Sequence, residues 1–161
     1  IDTTNQITGK AIAWLTMVVV VIPCVVVTAR YLFNFGSIGL QESVMYMHGT
    51  VFMLGIAFTL KEQGHVRVDV LYEKFPPRVK IYIDIAGHLL FLIPFSIFIL
   101  WTSVEYVSFS WSLRESSGQP GGLPAVYLVK GLIPTMAILL LLQGISEILK
   151  GVLLLTPRPG K

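Results

Sequence analysis

Four long runs without a charged residue alternate with short polar stretches along this chain. They are Ala11–Ala29 between Lys10 and Arg30, Ser43–Leu60 between Glu42 and Lys61, Ile85–Val104 between Asp84 and Glu105, and Gly131–Ser146 between Lys130 and Glu147. Apolar residues occupy every side of these runs, unlike the single apolar stripe of a helix on a soluble core. Each run is close to the roughly 20 residues that cross about 30 Å of hydrocarbon as a helix. Lipid offers no hydrogen bonds to the backbone, so a helix is the form such a run takes. The pattern predicts an all-α integral membrane protein, a single four-helix domain over residues 1–161 with spans at about 11–30, 43–61, 84–113 and 125–149. No helix breaker follows the third run until Gly118, so helix three is expected to project beyond the bilayer. Its far end carries Trp101, Tyr106, Phe109 and Trp111, the aromatic belt of a membrane interface. The stretch Gly118–Pro124 (GQPGGLP) reads as a turn, and Pro23, Pro94 and Pro134 are expected to kink the helices that hold them.

Composition agrees: 54% of the 161 residues are hydrophobic and 13% charged, about half the charged share of a soluble domain. The net charge of +3 says less than its placement. With four spans, both termini and the connection between spans two and three share one side. That side holds Lys10, Lys61, Arg67, Lys74, Arg78, Lys80, Lys150, Arg158 and Lys161, against Arg30, Arg114 and Lys130 on the other. Basic residues accumulate on the cytoplasmic side, so both termini are expected there, with helix three projecting into the periplasm. The first span is too long for a signal-peptide core, and Arg30-Tyr31-Leu32-Phe33 follows it rather than a small-residue cleavage site; it is expected to stay in the mature protein. Cys24 is the only cysteine and lies inside an apolar run, so it reads as a structural thiol.

Little here can perform chemistry. His48 and His88 fall in spans two and three, an arrangement that can hold haem. Counting helical rise, His48 lies about 8 Å below the outer interface and His88 about 5 Å above the inner one. Across a core about 30 Å thick they differ in depth by about 15 Å or more, too far to share one iron. A proton-coupled multidrug exporter needs a carboxylate near mid-membrane, and the four windows hold none. Gln143, beside Gly144 and Ser146, fits a hydrogen bond across a helix interface. Between spans two and three, His65, Arg67 and Asp69 alternate with Val66, Val68 and Val70, an extended segment with one apolar face. Asp69 is placed to cap a short helix from Val70 to Phe75, ended by Pro76-Pro77. A solvated loop, contact with anionic lipid and docking against a partner all remain open for this segment.

Several pieces in order resemble one family. They are Arg30-Tyr31-Leu32-Phe33 after span one, Glu42 entering span two, and Gly55 with Ala57. Then come Gly64-His65-Val66-Arg67-Val68-Asp69, the stretch Trp111–Pro124 (WSLRESSGQPGGLP), and Lys130 leading into Pro134. Together they resemble the small, DctQ-like membrane subunit of tripartite ATP-independent periplasmic (TRAP) transporters. The resemblance implies a division of labour: a periplasmic substrate-binding protein captures an organic anion, often a carboxylate, and a large membrane subunit carries it inward with sodium. The small subunit enlarges the static scaffold in the bacterial inner membrane. No enzymatic activity, cofactor, metal or nucleic-acid partner is implied. On this reading Glu42, His65, Arg67, Asp69 and Gln143 are candidates for contact with the large subunit. Trp111, Arg114 and Glu115 are candidates for docking the binding protein, and Lys74, Arg78 and Lys80 for lipid head groups. The alternative class is a haem-binding or redox membrane anchor, with the two histidines serving separate sites.

Overall fold

The computed structural model describes residues 2–62, 64, 72 and 74–156. It contains four long helices: α1 (Asp2–Phe33), α2 (Ile38–Lys61), α3 (Pro77–Ser112) and α4 (Val126–Leu155). All four are long and apolar enough to span a bilayer. All four extend past the charge-free windows. Hydropathy marks where hydrocarbon begins, whereas helix ends are set by local backbone chemistry. At the end of α1, Asn34 adopts a left-handed conformation (φ 50°) and Phe35 N donates to Ala29 O at 3.1 Å. The Ser37 hydroxyl then caps α2 by accepting from Leu40 N at 3.4 Å. Helix α3 starts at Pro77, whose missing N–H suits a first helical position. It ends where Arg114 turns left-handed (φ 46°), with Arg114 N donating to Trp111 O and Glu115 N to Ser110 O, both at 3.1 Å. That pairing is a Schellman stop.

The prolines are absorbed rather than helix-breaking. Helices α1 and α4 continue through Pro23 and Pro134. Just before Pro94, α3 widens into one π turn over His88–Leu92, and Ile93 N donates to His88 O. A π turn is a common way to fit a residue that cannot donate into the helical ladder. At 36 residues α3 is about 54 Å long, well beyond a hydrocarbon core of about 30 Å. The projection expected of this helix is thus accommodated in length.

The helices do not close into a bundle. Helix α1 packs along α2, α2 along α4, and α4 along α3, while α1 meets α4 only briefly and α3 has at most a marginal contact with α1 or α2. The order across the layer is therefore α1, α2, α4, α3. Burial follows from it: Ala57 and Leu60 on α2 and Ala137, Leu140, Gln143 and Gly144 on α4 are buried. The accessible surface is 11263 Å², about 40% above the roughly 8000 Å² of a compact globular protein of this mass.

The α3–α4 seam is built from small residues. Ser96, Ser103, Val107 and Ser110 turn inward from α3 at near-heptad spacing. Ser96 Oγ donates to Leu92 O at 2.7 Å and Ser103 Oγ to Leu100 O at 3.1 Å, so these hydroxyls are satisfied within their own helix. Opposite them, Gly144 lies against Leu92 so closely that a Cβ there would stand 2.5 Å from Leu92 Cδ2. Membrane helices lack a hydrophobic drive to associate, and close approach through small residues is what holds them together.

Candidate functional site

The richest polar cluster among the described residues lies at the end of the layer where the α1–α2 and α3–α4 connections sit, the hairpin end. Two carboxylates organise it. Glu42 on α2 reaches across to the 113–125 connection: its Oε1 accepts from Ser117 Oγ, and its Oε2 from Leu123 N at 2.7 Å. Within the connection Ser117 N donates to Leu123 O, Gln119 N to Ser117 Oγ, and Gly122 N to Gln119 O. Gly122 must be glycine for this approach, since a Cβ there would stand 2.8 Å from Glu42 Oε2 and 2.5 Å from Ser117 Oγ.

The second carboxylate, Glu115, accepts from Ser110 Oγ at 2.6 Å and pairs with Lys130 at the start of α4. The Lys130 ammonium also stands 4.3 Å from the centre of the Tyr106 ring, a cation–π contact. Trp111 meets Tyr127 edge to face with centroids 5.3 Å apart. Arg114 is exposed, and the left-handed turn at this residue sends it away from Glu115, whose partner is Lys130 instead. Adjacency in sequence does not make an ion pair here.

The hydrogen bond from Lys130, with that from Ser110, holds the Glu115 carboxyl below the usual carboxylate range. A carboxyl that titrates lower in the folded state stabilises the fold fully above the ordinary glutamate range. That contribution is lost as pH falls through the lowered folded value. Trp111 emission, recorded with Trp14 and Trp101 replaced by phenylalanine, should stay constant through the ordinary carboxylate range and change only at more acidic pH. A transition centred at or above that range would show that this ion pair does not hold the Trp111 end of the loop.

A second polar cluster lies towards the other end of α4. Gln143, wholly buried, donates from Nε2 to Glu147 Oε1 at 2.7 Å, and Lys150 Nζ donates to the same oxygen at 2.9 Å. Glu147 lies on the same helix as Gln143, one turn along. Ahead of α3, Tyr72 OH donates to Asp84 Oδ2 on that helix at 2.7 Å, and the Lys80 ammonium lies 5.2 Å from the Tyr72 ring centre. Lys74 and Arg78 are exposed. His65, Arg67 and Asp69 lie outside the described residues, as do Val70, Leu71 and Glu73 of the short helix expected after Asp69.

Residues 19–154 match the family of the DctQ component of tripartite ATP-independent periplasmic transporters. The chain belongs to the DctQ family. It is thus a small membrane subunit of the TRAP transporter type, a multi-pass membrane protein of a transport family and not of an enzyme family. No curated protein matches the chain.

For this DctQ chain the structure joins two groups of candidates that sequence spacing kept apart. Glu42, a candidate for the large-subunit interface, touches the connection that carries Arg114 and Glu115 and follows Trp111 on α3. His48 and His88 sit on α2 and α3, which α4 separates. Sequence reasoning did not single out Ser110, Ser117, Gly122 or Glu147. Only Glu147 carried a usable signal, since i,i+4 spacing places it beside Gln143.

Proposed function

We propose that this chain is the scaffold subunit of a sodium-coupled TRAP transporter for organic anions, most simply carboxylates, in the bacterial inner membrane. The observation that carries the proposal is the open layer of helices. Four spans arranged in one row leave two broad apolar faces, where a self-sufficient bundle would enclose a core. Lipid covers one face, and a larger membrane subunit suits the other. The four charge-free windows hold no Asp, Glu, Lys or Arg to couple an ion gradient, so carriage of substrate falls to that larger subunit. The seams between helices rest on small residues and internally satisfied hydroxyls, a construction suited to a frame that stays put while its partner moves. Lys74, Arg78 and Lys80 meet lipid head groups, and among the described residues neither Lys74 nor Arg78 forms an ion pair. The hairpin end faces the periplasm and receives the binding protein.

Purification in mild detergent from the native host tests this reading. A large polytopic membrane protein should accompany the chain in stoichiometric amount. Uptake by the reconstituted pair should require both a sodium gradient and a soluble binding protein. Within that complex, Asp69→Ala should weaken co-purification more than Lys74→Ala. Elution of the chain alone, under conditions that keep it folded, would remove the scaffold role.

A further inference from the structure

The connection between α3 and α4 runs over residues 113–125, longer than the two to eight residues that usually join neighbouring helices. None of its residues is buried, and the half-buried ones are Glu115, Ser117, Gly122, Leu123 and Ala125. Four of these five are members of the polar ties or lie directly against them. Apolar burial adds one modest contribution, Leu123 against the first turn of α2 at Gly39. Such a loop has no core of its own. Its order comes from acceptors on its flanks, and the acceptor it borrows from outside the α3–α4 hairpin is the Glu42 carboxylate.

We propose that Glu42 is a positioning residue for this loop: its carboxylate latches residues 115–124 across α2 into one preformed surface for the soluble binding protein. The proposal rests on the reading that the binding protein docks at the hairpin end. Three features support the latch. Both oxygens of Glu42 are used by the loop, one by a side chain and one by the backbone N–H of Leu123. Ser117 serves as a relay, donating to Glu42 while accepting from Gln119 N at 3.1 Å, so the tie reaches the tip of the turn. The glycine at 122 keeps open the space that the carboxylate enters. With the latch closed, Ser116, Gly118, Gln119 and Pro120 are exposed on a fixed frame beside Arg114. A surface ordered in advance loses less entropy when a partner binds. Glu42 then acts within this subunit, and its effect on transport passes through the loop.

The experiment compares the wild-type transporter complex with Glu42→Ala, Glu42→Gln and Ser117→Ala, the last removing one hydroxyl and leaving the carboxylate in place. Hydrogen exchange of the 115–124 peptide should accelerate in Glu42→Ala and less in the other two, with the α2 and α4 peptides unchanged. Uptake should show a half-saturating binding-protein concentration raised roughly three- to tenfold in Glu42→Ala. The defect should close at excess binding protein, with the large subunit still co-purifying in full ratio. Unchanged exchange in the loop would overturn the latch. Loss of the large subunit with loop protection intact would place Glu42 in the membrane interface instead, and also overturns it. Faster exchange with an unaltered binding-protein dependence would leave the latch but overturn the loop as a docking surface. Ser117→Ala carries the same three readouts should Glu42→Ala fail to fold.

Discussion

Replacing Gly144 with leucine should destabilise the subunit by about 1–3 kcal/mol, the usual cost of overpacking a fitted interface. Even the first added carbon would stand 2.5 Å from Leu92 Cδ2 and 3.9 Å from Ile93 Cγ1. The clash lies where the π turn of α3 packs against α4. Alanine at this position should cost less, because Leu92 Cδ2 is the tip of a flexible side chain and can swing aside. A leucine needs room that only separation of the two helices provides. The attribution can be checked by a double-mutant cycle, since residues in contact couple and distant ones do not. Leu92→Ala should recover much of the stability lost in Gly144→Leu, measured as thermal midpoint in one detergent. Gly87→Ala is the control within α3, where a Cβ would meet nothing within 4 Å; it should be neutral or mildly stabilising through helix propensity. A Gly144→Leu protein as stable as wild type, or no rescue by Leu92→Ala, would mean that the α3–α4 seam is not fitted as described.

The spans were legible because hydrocarbon excludes charge, and the windows between Lys10 and Arg30 or Asp84 and Glu105 record that exclusion directly. Helix ends were less so. Pro77 opens α3 seven residues before Asp84, and the stop at Arg114 depends on a left-handed residue that no hydropathy window registers. The order α1, α2, α4, α3 could not be read at all. Helices that are apolar all round carry no stripe pointing to a neighbour, since lipid and helix are equally good company for leucine. The cluster at the hairpin end was half legible. Glu42 and the Trp111–Pro124 stretch stood out as pieces of a family pattern, but the hydrogen bonds joining them span 75 to 81 residues. Adjacency could not show that Glu115 pairs with Lys130 rather than with Arg114, where the backbone turns left-handed. Gln143 stood out as the one amide in its apolar run, and its hydrogen bond to Glu147 ties it to the next turn of its own helix.

Labelling with a membrane-impermeant thiol reagent should divide the chain without intermediate cases. Native Cys24 is exposed on α1, but it sits within the first apolar run and lies in hydrocarbon, where a charged reagent does not enter; replacing it by serine gives a clean background. In that background Gln119→Cys, on the exposed part of the α3–α4 connection, should react from the periplasmic side in intact cells. Thr3→Cys, exposed on the first turn of α1, should react only after the membrane is opened. The expectation rests on nine basic residues at the terminal end against three at the hairpin end. Lys130 at the hairpin end is paired with Glu115, as Lys61 and Lys150 at the terminal end are with Glu62 and Glu147. At the hairpin end that leaves Arg30 and Arg114 as the cations outside an ion pair among the described residues. Moving an unpaired cation across a bilayer is costly whichever scale is used, so the weakly charged end is the one translocated. Labelling of Thr3→Cys in intact cells would invert the subunit, place the Glu42 latch in the cytoplasm and end the proposal that the loop meets a periplasmic protein.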